Sequence, residues 1–157
     1  MILTQGGVPP IVSLVVESSS ENSVRRYWNR VWSQGNVAAA REFYAPTFRL
    51  NGQETSVDEF VNGAEAWLCH FSEFDADVQE IFTCGSVIVS RVVYRATHTG
   101  DFKTVPARGM TFELSGIDIF EFREARVTCH WHETDHLDMF QQLGAEPRPI
   151  DGTGSAA

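Results

Sequence analysis

A chain of 157 residues with a net charge of −9, 43% hydrophobic and 21% charged residues, has the length of one domain and the composition of a globular protein. The acidic excess argues against nucleic acid and anionic membranes as partners, because binding phosphate needs clustered Lys and Arg. Cys69, Cys84 and Cys129 are an odd set without a CxxC, which fits buried free thiols in a reducing, cytoplasmic compartment.

The first stretch, MILTQGGVPPIVSLVVESSS, has a short apolar run from Ile11 to Val16. It lacks a basic start and is too short to span a bilayer, so residues 1–20 are expected to be a flexible leader or an edge strand. Ser20 or Asn22 then suits a helix cap, and Val24, Tyr27, Trp28, Val31 and Trp32 recur at helical spacing until Gly35. The aromatic stripe reads as core, with pocket lining as the alternative. A second short helix is expected over Val37–Tyr44, ended by Pro46, then a short strand over Thr47–Asn51. A third helix is expected over Val57–Phe71, with Phe60, Val61, Ala64 and Leu68 inward.

From about Asp75 the period becomes two, predicting strands over Val78–Thr83, Ser86–Thr99, Arg108–Phe122 and Ala125–Glu133. Short turns between them imply antiparallel hairpins. Helices first and an antiparallel meander after make an α+β domain. Strand parity places Ile88, Ser90, Val92, Tyr94, Ala96 and His98 on one inward row. A second inward row runs from Met110 and Phe112 through Leu114, Gly116 and Asp118 to Phe120 and Phe122. In the last strand, Val127, Cys129 and Trp131 are expected inward, with Glu133 and Asp135 on the same side and His130 and His132 outward.

HWHETDHLDMFQQLG, from His130 to Gly144, carries three of the five histidines beside acids before a helix expected over Leu137–Leu143. His130-x-His132 has the spacing of a metal-binding strand. A cupin-like site would need a Glu four residues after the second histidine, and His136 stands there, so no metal is expected. The Pro- and Gly-rich residues 145–157 are expected to be a disordered tail.

Several segments resemble the SnoaL-like polyketide cyclase family of the NTF2-like superfamily. VRRYWNRVWSQGNVAAAREFYAPTFRLNG resembles its opening helix pair, YRATHTGDF its "GTHxGxF" stretch, and FELSGIDIFEF with CHWHETDHLDMFQQLG its closing hairpin and "QLG" ending. The likeness covers Glu21 to Gly144, so residues 21–144 are the expected domain. It implies a cone-shaped α+β fold, in which a curved antiparallel sheet wraps around N-terminal helices and a deep apolar pocket, and commonly a homodimer. In ring-closing members an Asp matching Asp135 is the acid/base, and a His matching His98 lines the pocket beside it. Departures occur at Asn51-Gly52, Pro106-Ala107-Arg108-Gly109 and Glu124-Ala125-Arg126, the first two at pocket positions.

The expected function is therefore cofactor-independent cyclisation or isomerisation of a polyketide-like intermediate, with Asp135 and His98 as catalytic residues. Asn51, Tyr94, Met110, Phe112, Asp118, Trp131 and Trp32 are expected to meet the substrate. A desolvated Asp can take an acidic C–H proton while a nearby donor holds the enolate oxygen. Structural roles stand beside these: Asp135 as a helix cap, His98 as the end of a strand, Asp118 in a salt bridge at a dimer contact. Epoxide opening, hydroxylation, shape-driven ring closure and non-catalytic ligand binding remain alternatives. The segment Gly100–Gly109 is expected to be a lid or a surface loop.

Overall fold

The structure, a computed structural model, describes residues 11–145. The expectations for residues 1–10 and for the tail beyond 145 lie outside them. Helix α1 spans Ile11–Tyr27, so residues 11–20 are helical and do not form an edge strand. It runs into a π-helical turn over Trp28–Ser33, where Gln34 N donates to Asn29 O at 2.9 Å. Gly35, at φ 66°, reverses the chain in a left-handed conformation that suits glycine. A 3₁₀ turn over Val37–Glu42 replaces the second helix, because strand β1 (Tyr44–Leu50) begins earlier than expected.

Asn51-Gly52, both with positive φ, makes the two-residue turn into β2 (Gln53–Ser56). Asn-Gly is a strong hairpin signal, so β2 is an addition to the single short strand expected here. Helix α2 (Val57–Leu68) starts at a capping box: Ser56 Oγ accepts from Glu59 N at 3.1 Å and Glu59 Oε2 accepts from Ser56 N at 2.9 Å. Strands β3 (Phe71–Cys84), β4 (Val87–His98), β5 (Thr111–Arg123) and β6 (Arg126–Thr134) follow, then helix α3 (His136–Gln142).

The six strands form one sheet in the order β2-β1-β6-β5-β4-β3. It is the curved α+β arrangement expected, with one correction: β1 lies parallel to β6. Helix α1, the π turn and α2 cover the inner face. Buried Val24, Tyr27, Trp28 and Val31 meet the inward rows of β4 and β5 there, each fully buried large apolar side chain contributing about 1.5–3 kcal/mol. The inward row of β4 is buried from Ile88 to His98, as the alternation requires. On β5 the row runs from Phe112 to Phe122, but Met110 lies before the strand and is 39% exposed.

Two irregularities decide what the sheet presents. In β3 the register slips between Ser72 and Asp75, with Glu73 at φ 54°. Between β5 and β6, Glu121 pairs with Cys129 but Phe122 pairs with Val127, leaving Thr128 as an extra residue. Such a bulge reverses side-chain parity along the rest of the strand. Val127 is therefore inward before it, and His130, His132 and Thr134 are on the inner side after it.

Candidate functional site

A cavity of about 410 Å³ opens between α2, the π turn and the inner sheet face, within the usual ligand-pocket range of about 300–1,000 Å³. Its walls are mostly aromatic: Trp28, Trp32, Phe60, Trp67, Phe74 and Tyr94. Two of the three indoles are held by hydrogen bonds, Trp28 Nε1 to Ser90 Oγ at 3.2 Å and Trp32 Nε1 to Tyr27 Oη at 2.9 Å. Polar lining comes from Thr55 and Glu59 on one side and from His132, Thr134 and His136 on the other. The aromatic stripe of the first helical stretch thus serves both core and pocket.

Behind His132 lies Asp118, fully buried on β5. Its Oδ1 accepts from His132 Nδ1 at 2.6 Å and from His130 Nε2 at 2.9 Å, and its Oδ2 accepts the Tyr94 hydroxyl at 2.9 Å. His130 completes its own bonding through Nδ1, 2.8 Å from the Tyr44 hydroxyl. With Nε2–H spent on Asp118, Nδ1 is the acceptor and Tyr44 the donor. His132 spends Nδ1–H on Asp118, leaving Nε2 as the ring nitrogen for the cavity.

The electrostatics follow from these bonds. Burial pushes the Asp118 carboxyl up, but the hydrogen bonds and charges of His130 and His132 outweigh it and hold the group below the usual carboxylate range. Burial holds His130 below its ordinary value despite Asp118. For His132 burial again lowers, yet the bond and charge of Asp118, with Glu133, raise it above the ordinary value. Tyr94 is raised by burial and by the Asp118 charge, so it stays a protonated donor. His136 is lowered by burial and by the neighbouring His132 and Lys103 charges.

Two close contacts set the geometry. The Asn51 side chain clamps the backbone of His132, Oδ1 accepting from His132 N at 2.8 Å and Nδ2 donating to His132 O at 3.2 Å. Gly116 gives the Tyr94 ring its place, since a Cβ there would lie 2.8 Å from Tyr94 Cε2 and from Thr134 Cγ2.

The expected site residues divide accordingly. Trp32 and Tyr94 line the cavity, and Asp118 stands directly behind it. His130 and His132 face inward, correcting the outward expectation, because the bulge at Thr128 flips their parity. The same flip turns Trp131 out, 46% exposed, against the turn at Gly52. Asp135 is exposed and caps α3, accepting from Asp138 N at 3.0 Å; it does not line the aromatic cavity. Asn51 is exposed and reaches the site through the backbones of His132 and His130, and Met110 lies outside it.

His98 and Phe112 do not line the cavity; they are buried in the aromatic cluster around Phe71, with ring centroids 5.7 and 5.3 Å from that residue, which packs on the back of Trp67. Above this cluster runs the segment 99–110. Phe102 stacks on Phe140 at 6.0 Å, and Thr99 N and Gly100 N both donate to His70 O at 3.0 Å. None of its residues lines the cavity. Of the cysteines, only Cys129 is buried.

Asp118, His130 and His132 are also the cluster, among the described residues, whose donor atoms lie within 4.8 Å of one another, as a shared metal ion requires. Both imidazoles, however, direct an N–H at the same carboxylate oxygen, at hydrogen-bond lengths. That arrangement fits a proton-holding network better than three lone pairs converging on an ion. No helix among the described residues is long and apolar enough to cross a membrane.

Comparison with known proteins supports the architecture. A candidate polyketide cyclase from Acidithiobacillus ferrooxidans superposes with a TM-score of 0.75 at 27% identity, covering 82% of this chain and 96% of that one. IdmH, a candidate polyketide cyclase from Streptomyces antibioticus, shares the fold at 24% identity and a TM-score of 0.72 over 80% of this chain and 99% of its own. AclR, a candidate hydroxylase from Streptomyces galilaeus, does so at 18% identity and a TM-score of 0.75, over 85% of this chain and 91% of its own. No curated protein matches the chain in sequence. With residues 22–143 matching the family pattern, the chain belongs to the SnoaL-like polyketide cyclases.

Proposed function

We propose that this protein is a cofactor-independent cyclase that closes a ring in a polyketide-like intermediate by an aldol-type step inside the aromatic cavity. The observation that carries this reading is the Asp118–His132 pair. A buried carboxylate holds Nδ1–H of an imidazole whose other nitrogen is left for a cavity walled by aromatic rings. Forming an enolate places negative charge on a carbonyl oxygen. His132, raised by Asp118 and so favoured as imidazolium, can donate from Nε2 to that oxygen in a cavity with largely apolar walls. Asp118 fixes the ring and balances its charge, while Tyr94 and His130 fix Asp118. The aromatic walls contribute orientation, folding a flexible chain so that its reacting carbons meet. In this reading Asp135 is a helix cap rather than the acid/base.

The reading includes a cytoplasmic protein and a homodimer. The outer sheet face carries Ile117, Ile119 and Trp131 at 52%, 38% and 46% exposure, which supports a sheet-to-sheet contact.

The test uses 1-(2-naphthyl)hexane-1,5-dione, whose ring closure and dehydration give a conjugated cyclohexenone read by ultraviolet absorbance. His132→Gln is expected to lower turnover by roughly 10²–10³, the usual worth of one oxyanion donor. A folded Gln variant with undiminished turnover would leave shape-driven closure or ligand carriage as the better reading.

A further inference from the structure

If His132 meets the oxygen, another group must take the carbon-bound proton. Asp118 cannot: it is fully buried and all its bonds point to His130, His132 and Tyr94. Tyr94 donates to Asp118 and is held protonated. Glu59 lines the cavity, but its Oε2 takes three hydrogen bonds, from Ser56 N, Ser56 Oγ and Thr55 Oγ1.

His136 is left. It is the first residue of α3, two residues beyond the last inward residue of β6, and it lines the same cavity as His132. Its Nε2 lies 3.2 Å from Thr134 Oγ1, which lines the cavity between the two histidines in sequence. The Asp135 cap bond to Asp138 N fixes the start of the helix that carries it.

We propose that His136 is the base of the ring closure, working beside His132 on the same wall of the cavity, with Thr134 as its positioning residue. The proposal rests on the aldol reading above. His136 takes the proton from the carbon next to a carbonyl, and the C–H pair becomes the enolate whose oxygen receives the His132 N–H. The enolate carbon bonds to a second carbonyl carbon, whose π pair moves to its oxygen. That oxygen takes the proton back from His136, so the ring-closed ketol is an isomer of the substrate and no other reactant is consumed.

The electrostatics agree. Two acid–base groups in one cavity whose environments push them apart mark which is acid and which is base. His132, backed by Asp118, is raised and His136 is lowered. The groups bearing on His136 are His132 and Glu133 on β6, Lys103 on the β4–β5 segment, and Asp135 at the helix cap. Those bearing on His132 are Asp118 on β5 and Glu133 on β6. His130 shares Asp118 with it, Tyr94 lies 6.3 Å from its ring, and Glu59 lines the cavity across from it.

The experiment has two arms. In the first, imidazole proton and nitrogen resonances are followed against pH in the full chain. His132→Gln should raise the His136 midpoint, since it removes a cation present while His136 titrates. An unmoved midpoint overturns the shared cavity electrostatics and the proposal with it. In the second, turnover of 1-(2-naphthyl)hexane-1,5-dione is measured against pH. His136→Gln should cut kcat by roughly 10²–10⁴ with little change in KM, and the acidic limb of the profile should vanish. Thr134→Val should lower kcat less and keep both limbs. If His132→Gln loses activity while His136→Gln keeps full kcat and its acidic limb, this proposal fails and the cyclase reading stands. If His132→Gln is fully active, the cyclase reading itself fails.

Discussion

Two buried polar sites on neighbouring strands invite comparison. At the middle of β5, Asp118 is wholly buried yet accepts three hydrogen bonds, and its network reaches the cavity through His132 and Tyr94. At the end of β4, His98 is equally buried, packed against Phe71, and neither ring nitrogen has a partner among the described residues. Both lie on inward rows, and both looked functional in the sequence. The difference is connection: a buried ionisable group is tolerated when every lone pair is matched, and it is useful when the matched network ends at open space. His98 has neither property.

Changes at the two sites should therefore behave in opposite ways. The largest effect is expected at Asp118. Asp118→Asn keeps the shape but removes the charge that favours the His132 imidazolium. Turnover of the naphthyl dione should fall by roughly 10²-fold or more. The pH dependence of stability should change too. The folded Asp118 value lies below the ordinary one, so its contribution is present above the ordinary carboxylate value and is lost as pH falls through the lowered one. Denaturant midpoints measured down an acid series should fall less steeply through that window in the Asn variant, and an unchanged slope would break the assignment.

A smaller effect of opposite sign is expected at His98. Leaving a buried donor and acceptor unmatched costs about 1–3 kcal/mol, so His98→Leu should raise the melting temperature and leave turnover intact. Loss of turnover in a stabilised variant would place His98 in the chemistry after all. The smallest effect belongs to Asp135. Asp135→Ala removes the α3 cap and should lower stability by about 1 kcal/mol, with Asp135→Asn nearly silent, as differential scanning calorimetry can resolve. Turnover should be unchanged in Asp135→Asn, which keeps the cap, and slightly lower in Asp135→Ala, which loosens the start of the helix that carries His136; a kinetic defect in the Asn variant would return Asp135 to the site.

How far the site could be read in advance depended on the kind of signal. The period of two on β4 and β5 placed Tyr94 and Asp118 inward, because alternation is a local property of an extended backbone. Asp118 also carries a signal in the sequence: an inward carboxylate among apolar neighbours needs donors, and His130 and His132 are the polar groups on the adjoining strand. Asn51-Gly52 is likewise a local signal, for the hairpin that joins β1 to β2.

By itself the sequence determined the helical first part and the antiparallel meander after it, the α+β class, the family and the aromatic stripe that walls the cavity, because each is written in local spacing or in extended motifs. Only the tertiary structure decided which way the last strand faces. One unpaired residue at Thr128 moves His130 and His132 from the outer face to the inner one and Trp131 in the other direction. A bulge arises from how two strands share a ladder and twist together, so no single strand's pattern reports it. For the same reason Asp135 stands as an exposed helix cap, and the cavity's acid–base groups come from β5, β6 and the first turn of α3.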